Sequence, residues 1–144
     1  MAPRAEQGDP DMSLTMTAAE QLWRLWQAGE SLDALPPACR PRSRAEGYAV
    51  QACLPEASGR TVLGWKIAAT SGAGQQHINV SGPLAGRILS GQVLPPGAVV
   101  PAHGNRMRVA EPEMAFMLGQ DLPARAQPYT EAEVMAAVSG LHPS

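Results

Sequence analysis

The chain has 144 residues, 44% of them hydrophobic but only 4% aromatic, and a formal net charge of −2. That length suits one ordinary domain, with a core drawn from Leu, Val, Ala and Met, and the charge argues against nucleic acid or an anionic membrane surface as the main partner. No apolar run is long enough to cross a bilayer or to act as a secretory signal, and Cys39 and Cys53 have spacings that fit neither a zinc site nor a disulfide framework, so a reduced cytoplasmic protein is expected.

Residues 1–12 carry no structural pattern and are expected to be disordered, leaving 13–144 as the ordered portion. Three stretches match the capping box, in which a hydroxyl and a carboxylate satisfy opposite backbone donors. They are Thr17-Ala-Ala-Glu20, Ser43-Arg-Ala-Glu46 and Thr130-Glu-Ala-Glu133, and they predict helices over 18–28, 44–57 and 131–140. In the first, Leu22, Trp23, Leu25 and Trp26 form the apolar surface, the two tryptophans read as packing anchors, and Gly29 is the stop. A loop containing Pro36, Pro37 and Pro41 follows, with Arg40, Arg42 and Arg44 as a solvated basic lead-in to the next helix or, alternatively, a phosphate contact. The second helix buries Tyr48, Val50 and Leu54 and closes at Gly59.

Thr61 to Thr70 reads as a strand from its branched and aromatic content. Its two-residue period puts Leu63, Trp65, Ile67 and Ala69 on one face, and Val62, Gly64, Lys66, Ala68 and Thr70 on the other. Lys66 is the only lysine, every other basic side chain apart from histidine being arginine. A compact ammonium among small neighbours leaves room for a ligand to approach, although a lone lysine on a solvated strand is the commoner case. Ser71 to Val80 is a short helix or an ordered loop. Gly82 to Gly104 holds nine Gly or Pro residues in twenty-three, a density that forces short strands and tight turns, with Arg87-Ile-Leu and Ala98-Val-Val as strand pieces.

Arg106 to Leu118 is the stretch with the sharpest chemistry. Read as a strand, it puts Met107, Val109, Glu111, Glu113, Ala115 and Met117 on one face, the two carboxylates roughly 7 Å apart. On a packed apolar face they would need a cation or would take up protons. A hard divalent ion such as Mg²⁺ or Mn²⁺ meets both needs. The alternative is a solvated edge strand carrying two surface acids, which Pro112 also suits. The run ends in a turn at Gly119 to Asp121. His77, His103 and His142 read as surface or loop histidines. Dinucleotide- and phosphate-binding glycine motifs and a nucleophile elbow are all absent from the sequence.

Taken together, GWKIAATS (64–71), Gln75-Gln76, GPLAGRIL (82–89), VAEPEMAFMLGQDL (109–122), Thr130-Glu-Ala-Glu-Val and Leu141-His-Pro resemble the 2-keto-4-pentenoate hydratases and related 4-oxalocrotonate decarboxylases of the fumarylacetoacetate hydrolase superfamily. The resemblance implies an α+β fold, a mixed β-sandwich or roll with outer helices. It implies a divalent-metal enzyme of aromatic-compound breakdown acting on a small 2-hydroxydienoate or 2-keto acid, homo-oligomeric in its full-length form. Glu111 and Glu113 match the family's metal-binding acids, and Lys66 matches a lysine of the same active site, either holding the substrate carboxylate or moving protons. The family chain is longer and supplies a third acidic ligand just past the position of Leu-His-Pro. The resemblance is therefore to an N-terminal portion with an incomplete roll, for which hydratase, decarboxylase and inactive remnant or partner subunit are the competing readings.

Overall fold

The computed structural model describes residues 10–102, 105 and 107–144. The chain forms two compact units, residues 1–104 and residues 105–144. Both mix helix with antiparallel strand, an α+β composition. Among the described residues, no helix is long and apolar enough to cross a membrane.

The first unit opens with α1 (Pro10–Ala28). The helix starts about two turns before the predicted Thr17 cap. Proline suits a first helical turn, having no N–H to leave unpaired. Thr17 Oγ1 instead donates to Ser13 O at 2.9 Å, a bond back along the helix. The predicted disorder thus gives way to helix over 10–12, while residues 1–9 lie outside the described ones. Gly29, at φ 66°, ends the helix as predicted, and Glu30 N–H closes it by bonding Leu25 O at 2.9 Å.

Helix α2 (Arg44–Ser58) follows, with Ser43 Oγ accepting from Glu46 N–H. The Glu46 carboxylate caps Arg42 N–H at 2.7 Å, one residue earlier than a full capping box would have it. Gly59, at φ 63°, closes the helix. The two helices meet through Ala18, Ala19, Cys39 and Val50, with Leu35, Cys53, Leu54 and Ala57 packed around them. A pair of alanines lets the helix backbones approach closely, so the core is small in volume. Both cysteines are free thiols.

Strand β1 (Val62–Ala68) pairs antiparallel with β2 (Leu84–Leu89), with Lys66 opposite Gly86 and Trp65 opposite Arg87. Helix α2 covers the outer edge of β2: Tyr48 Oη accepts from Ala85 N–H, and Gln51 Nε2 donates to Ala85 O. Arg60 joins both layers, its guanidinium lying 4.8 Å over the Trp23 ring and donating to Ser90 O. Between the strands lies α3 (Gly72–His77), capped by Ser71. Ala69, at φ 55°, turns the chain out of β1, and Gln75 Nε2 holds its carbonyl at 3.1 Å.

In the second unit β3 (Met114–Leu118) pairs antiparallel with β4 (Val138–Pro143), which continues directly from α4 (Glu131–Ala137). Thr130 and Glu133 make the predicted capping box in full. Three expectations change here and in the preceding loop. The third helix stops at Ala137 rather than near 140, because Val138 is already extended and Ser139-Gly140 favours helix poorly. The Ala98-Val-Val piece joins no strand, and Val99 is 89% exposed. The strand expected from Arg106 begins only at Met114, because Arg108 sits at φ 51° and its N–H bonds Asn105 Oδ1 at 2.9 Å, making a turn.

Candidate functional site

Lys66 is carried in the middle of β1, and its face is the better covered one. Gly64, Lys66 and Ala68 are half-buried, whereas Leu63, Trp65 and Ile67 are 58%, 52% and 48% exposed. This reverses the ordinary burial of an amphipathic strand. Directly opposed residues share a face, so Gly86 stands beside Lys66 across the ladder. Lys66 is thus flanked on its face by Gly64, Ala68 and Gly86, one small residue more than its own strand supplies. On the opposite face Arg87 lies 4.8 Å over the Trp65 ring and donates to Gln51 Oε1.

Glu111 and Glu113 belong to the second unit, so the three candidate residues are divided between the units. The carboxylates are not held on one strand face. Glu111 is exposed on irregular chain, while Glu113 is half-buried at the ladder's edge. Glu113 N–H donates to Ser144 O and its carbonyl accepts from Ser144 N–H, both at 2.9 Å, adding one pair beyond β3. Its side chain therefore shares a face with Ala115 and Met117, as the period predicts from that point onward. Upstream, Met107 and Val109 are exposed, so the expected apolar packing around the acid pair is absent.

His142 lies on the Glu113 face, opposite Ala115, a neighbour the sequence reading left unassigned. The alternation Gly140, His142, Ser144 signals it, but only once this segment is recognised as strand rather than helix end. A Cβ built on Gly140 would stand 3.0 Å from His142 Nε2, so the ring leans over Gly140 and away from Glu113. His77 is exposed at the end of α3, and His103 lies outside the described residues.

Two glutamates are right in kind for a hard cation but short in number. No group of three or more His, Cys, Asp or Glu side chains gathers to hold a metal among the described residues. The concavity between the start of α1 and the start of α2 has a volume of about 100 Å³ and is lined by Cys39, Arg40, Arg42, Glu46 and Val50 among others. It is too small for the usual small-molecule site of roughly 300 Å³ or more. Its arginines are also engaged: Arg40 Nε donates to Leu35 O at 2.8 Å, and Arg42 lies 3.8 Å from Glu46. The cluster leads into α2, which begins at Arg44.

Comparison with known proteins places a name beside these residues. The chain is 29% identical over 130 residues to 2-keto-4-pentenoate hydratase of Paraburkholderia xenovorans (strain LB400) and, to the same extent, to 2-keto-4-pentenoate hydratase 3 of Pseudomonas putida. Each match covers 88% of this chain and 48% of the relative, so the chain spans about half the length of the curated relatives it matches. No protein-family profile matches, and no solved structure matches.

Proposed function

We propose that the chain is part of a hydro-lyase-type enzyme that adds water to 2-hydroxypenta-2,4-dienoate-like substrates in the cytoplasmic breakdown of aromatic compounds, within a fumarylacetoacetate hydrolase-type roll. The similarity to two 2-keto-4-pentenoate hydratases across most of the chain carries this reading. Both relatives bear the hydratase name, which favours water addition over the related decarboxylation.

In this reading Lys66 Nζ receives the substrate carboxylate. Gly64, Ala68 and Gly86 are the small residues beside it on that face, and partial burial strengthens the attraction by lowering the local dielectric. Glu111 and Glu113 would contribute two carboxylates to a Mg²⁺ or Mn²⁺ site, where a bound ion stabilises negative charge on the substrate oxygen. Glu113 is anchored by its two main-chain bonds to Ser144, so its carboxylate is the better placed of the two.

The test is a chimera in which residues 13–144 replace the matched half of the Paraburkholderia xenovorans hydratase, assayed by loss of the dienol's ultraviolet absorbance with Mg²⁺. Turnover is expected, falling at least tenfold in Lys66→Met, which is about 1.4 kcal/mol of transition-state free energy. A folded chimera without turnover, or one indifferent to Lys66→Met, sinks the proposal.

A further inference from the structure

Two glycines stand inside the β1–β2 ladder, Gly64 and Gly86. Neither has the positive φ of Gly29, Gly59 or Gly91, and neither is demanded by packing. Among the described residues, a Cβ built on Gly86 would meet nothing nearer than Lys66 O at 3.8 Å, an ordinary contact, and one on Gly64 would meet nothing within 4 Å. At Gly91 and Gly119, by contrast, a Cβ would stand 2.8 Å from Arg60 and 2.9 Å from Ser139. Glycine inside a strand gives up backbone order and a packing side chain, and where it is kept it marks a bulge or the close approach of a ligand or another backbone. The register of β1 and β2 shifts between Val62 and Gly64, which accounts for Gly64. Gly86 sits in unbroken register, so close approach is its remaining reason.

Gly86 is opposite Lys66, and its neighbours on the same face of β2 are Leu84 and Ile88, opposite Ala68 and Gly64. All six residues are half-buried. Opposed residues in a ladder carry Cβ atoms roughly 5 Å apart, so a side chain at position 86 would fill the space beside the base of the Lys66 side chain. Its absence leaves a gap one side chain wide, with branched apolar walls on two sides and the chain's only lysine on the third. Such a gap suits a short acid, charged at one end and apolar along its length.

We propose that Gly86 sets substrate specificity in the hydratase reading above, on which this inference rests: the carbon chain of the acid lies across Gly86, between Leu84 and Ile88, while its carboxylate meets Lys66. The side chain at position 86 then decides how closely a carbon chain approaches the lysine. A bare carboxylate without such a chain is indifferent to it. Adding a side chain here strains neither the backbone nor its neighbours, and branched side chains favour strands, so substitution should separate binding from folding.

Lys66 is the only lysine, so the 144-residue chain labelled with carbon-13 lysine gives one lysine spin system, followed as 2-oxopentanoate or acetate is added. In the parent both should shift it. Gly86→Val should weaken 2-oxopentanoate about tenfold or more, the usual effect of a misplaced methylene in an apolar pocket, and change acetate less than about twofold. Its urea unfolding midpoint should not fall. If Gly86→Val fails to fold, Gly86→Ala decides: it adds one carbon at ordinary contact distance and should weaken 2-oxopentanoate about threefold. The inference is overturned by a parent lysine signal that 2-oxopentanoate does not move, by affinity for it unchanged in these variants, or by acetate weakened in step. In the chimera described above, Gly86→Val should raise KM about tenfold with kcat changed far less, and an unchanged KM overturns the inference as well. A chimera without turnover sinks the hydratase reading instead, and the lysine titration still decides the part played by Gly86.

Discussion

Acidification should release the Glu133 carboxylate at the head of α4 only well below the ordinary carboxylate range, and the structure sets where. Its Oε2 accepts from Arg125 at 2.7 Å, Thr130 N–H at 2.7 Å and Thr130 Oγ1 at 2.9 Å, while Oε1 accepts from Arg125 at 2.9 Å. Hydrogen bonding from Arg125, then from the Thr130 backbone and hydroxyl, lowers the carboxyl from an ordinary 4.5 to about 2. Arg125 is held in place by stacking 3.7 Å over the Tyr129 ring. The folded value lies below the unfolded one, so the stabilisation is fully present above about 4.5 and is lost as the pH falls toward 2. Because α4 runs directly into β4, loosening this cap should also loosen the strand that pairs with β3. The assay is a carbon-13 titration of the glutamate side chains, with Glu133→Gln to assign its resonance. The expected midpoint is about 2. A Glu133 midpoint in the ordinary carboxylate range, or one unmoved by Arg125→Ala, would refute the reasoning.

Val50→Ala removes two methyl groups from the cluster of Ala18, Ala19 and Cys39; at about 0.8 kcal/mol per group plus a cavity term, it should cost about 2 kcal/mol in urea unfolding of the first unit. Gly91→Ala places a Cβ 2.8 Å from Arg60 at φ 83°, so it should cost about 1–2 kcal/mol by the same measurement and disturb the arginine stacked on Trp23. Calorimetric titration of the 144-residue chain with Mn²⁺ should give a dissociation constant weaker than about 10⁻⁴ M, the weak end of carboxylate sites for hard cations. Glu113→Gln should abolish what binding there is.

How far the sequence could be read depended on whether the deciding signal was local. Ser43, Gly59, Thr130 and Glu133 announce helix ends through bonds spanning two to four residues, and all four act as their chemistry predicts. Thr17 carries the same signature but lies inside a helix that had already begun at Pro10, so the motif had no free terminus to serve. The faces of β1 were legible from the two-residue period, whereas which face would be covered was not. That depends on β2 bringing Gly86 beside Lys66 and on α2 sealing the far edge of β2, contacts across twenty and more residues. For Arg106 to Leu118 the period held only where β4 supplied a partner. The turn at Asn105 to Arg108 overrides strand propensity upstream, and β4 itself was hidden in what read as the tail of a helix.

The candidate residues are built to different degrees, which bears on what a complete site must supply. Lys66 is fixed by ladder pairs on both sides of it, at Trp65 and Ile67, so its position is a property of the β1–β2 sheet. Glu113 is paired through its main chain with Ser144, and Glu111 stands beyond that pair with Pro112 between them. Proline contributes no N–H, so the chain cannot extend the β3 ladder through this point on its donor side. A Mg²⁺ ion seeks about six oxygens in near-octahedral array, and an exposed carboxylate on irregular chain must give up side-chain and backbone freedom to become one of them. In the proposed hydratase Lys66 would meet the substrate anion from a strand paired along its length, whereas the acid pair would hold a metal only with Glu111 and Glu113 brought to one geometry.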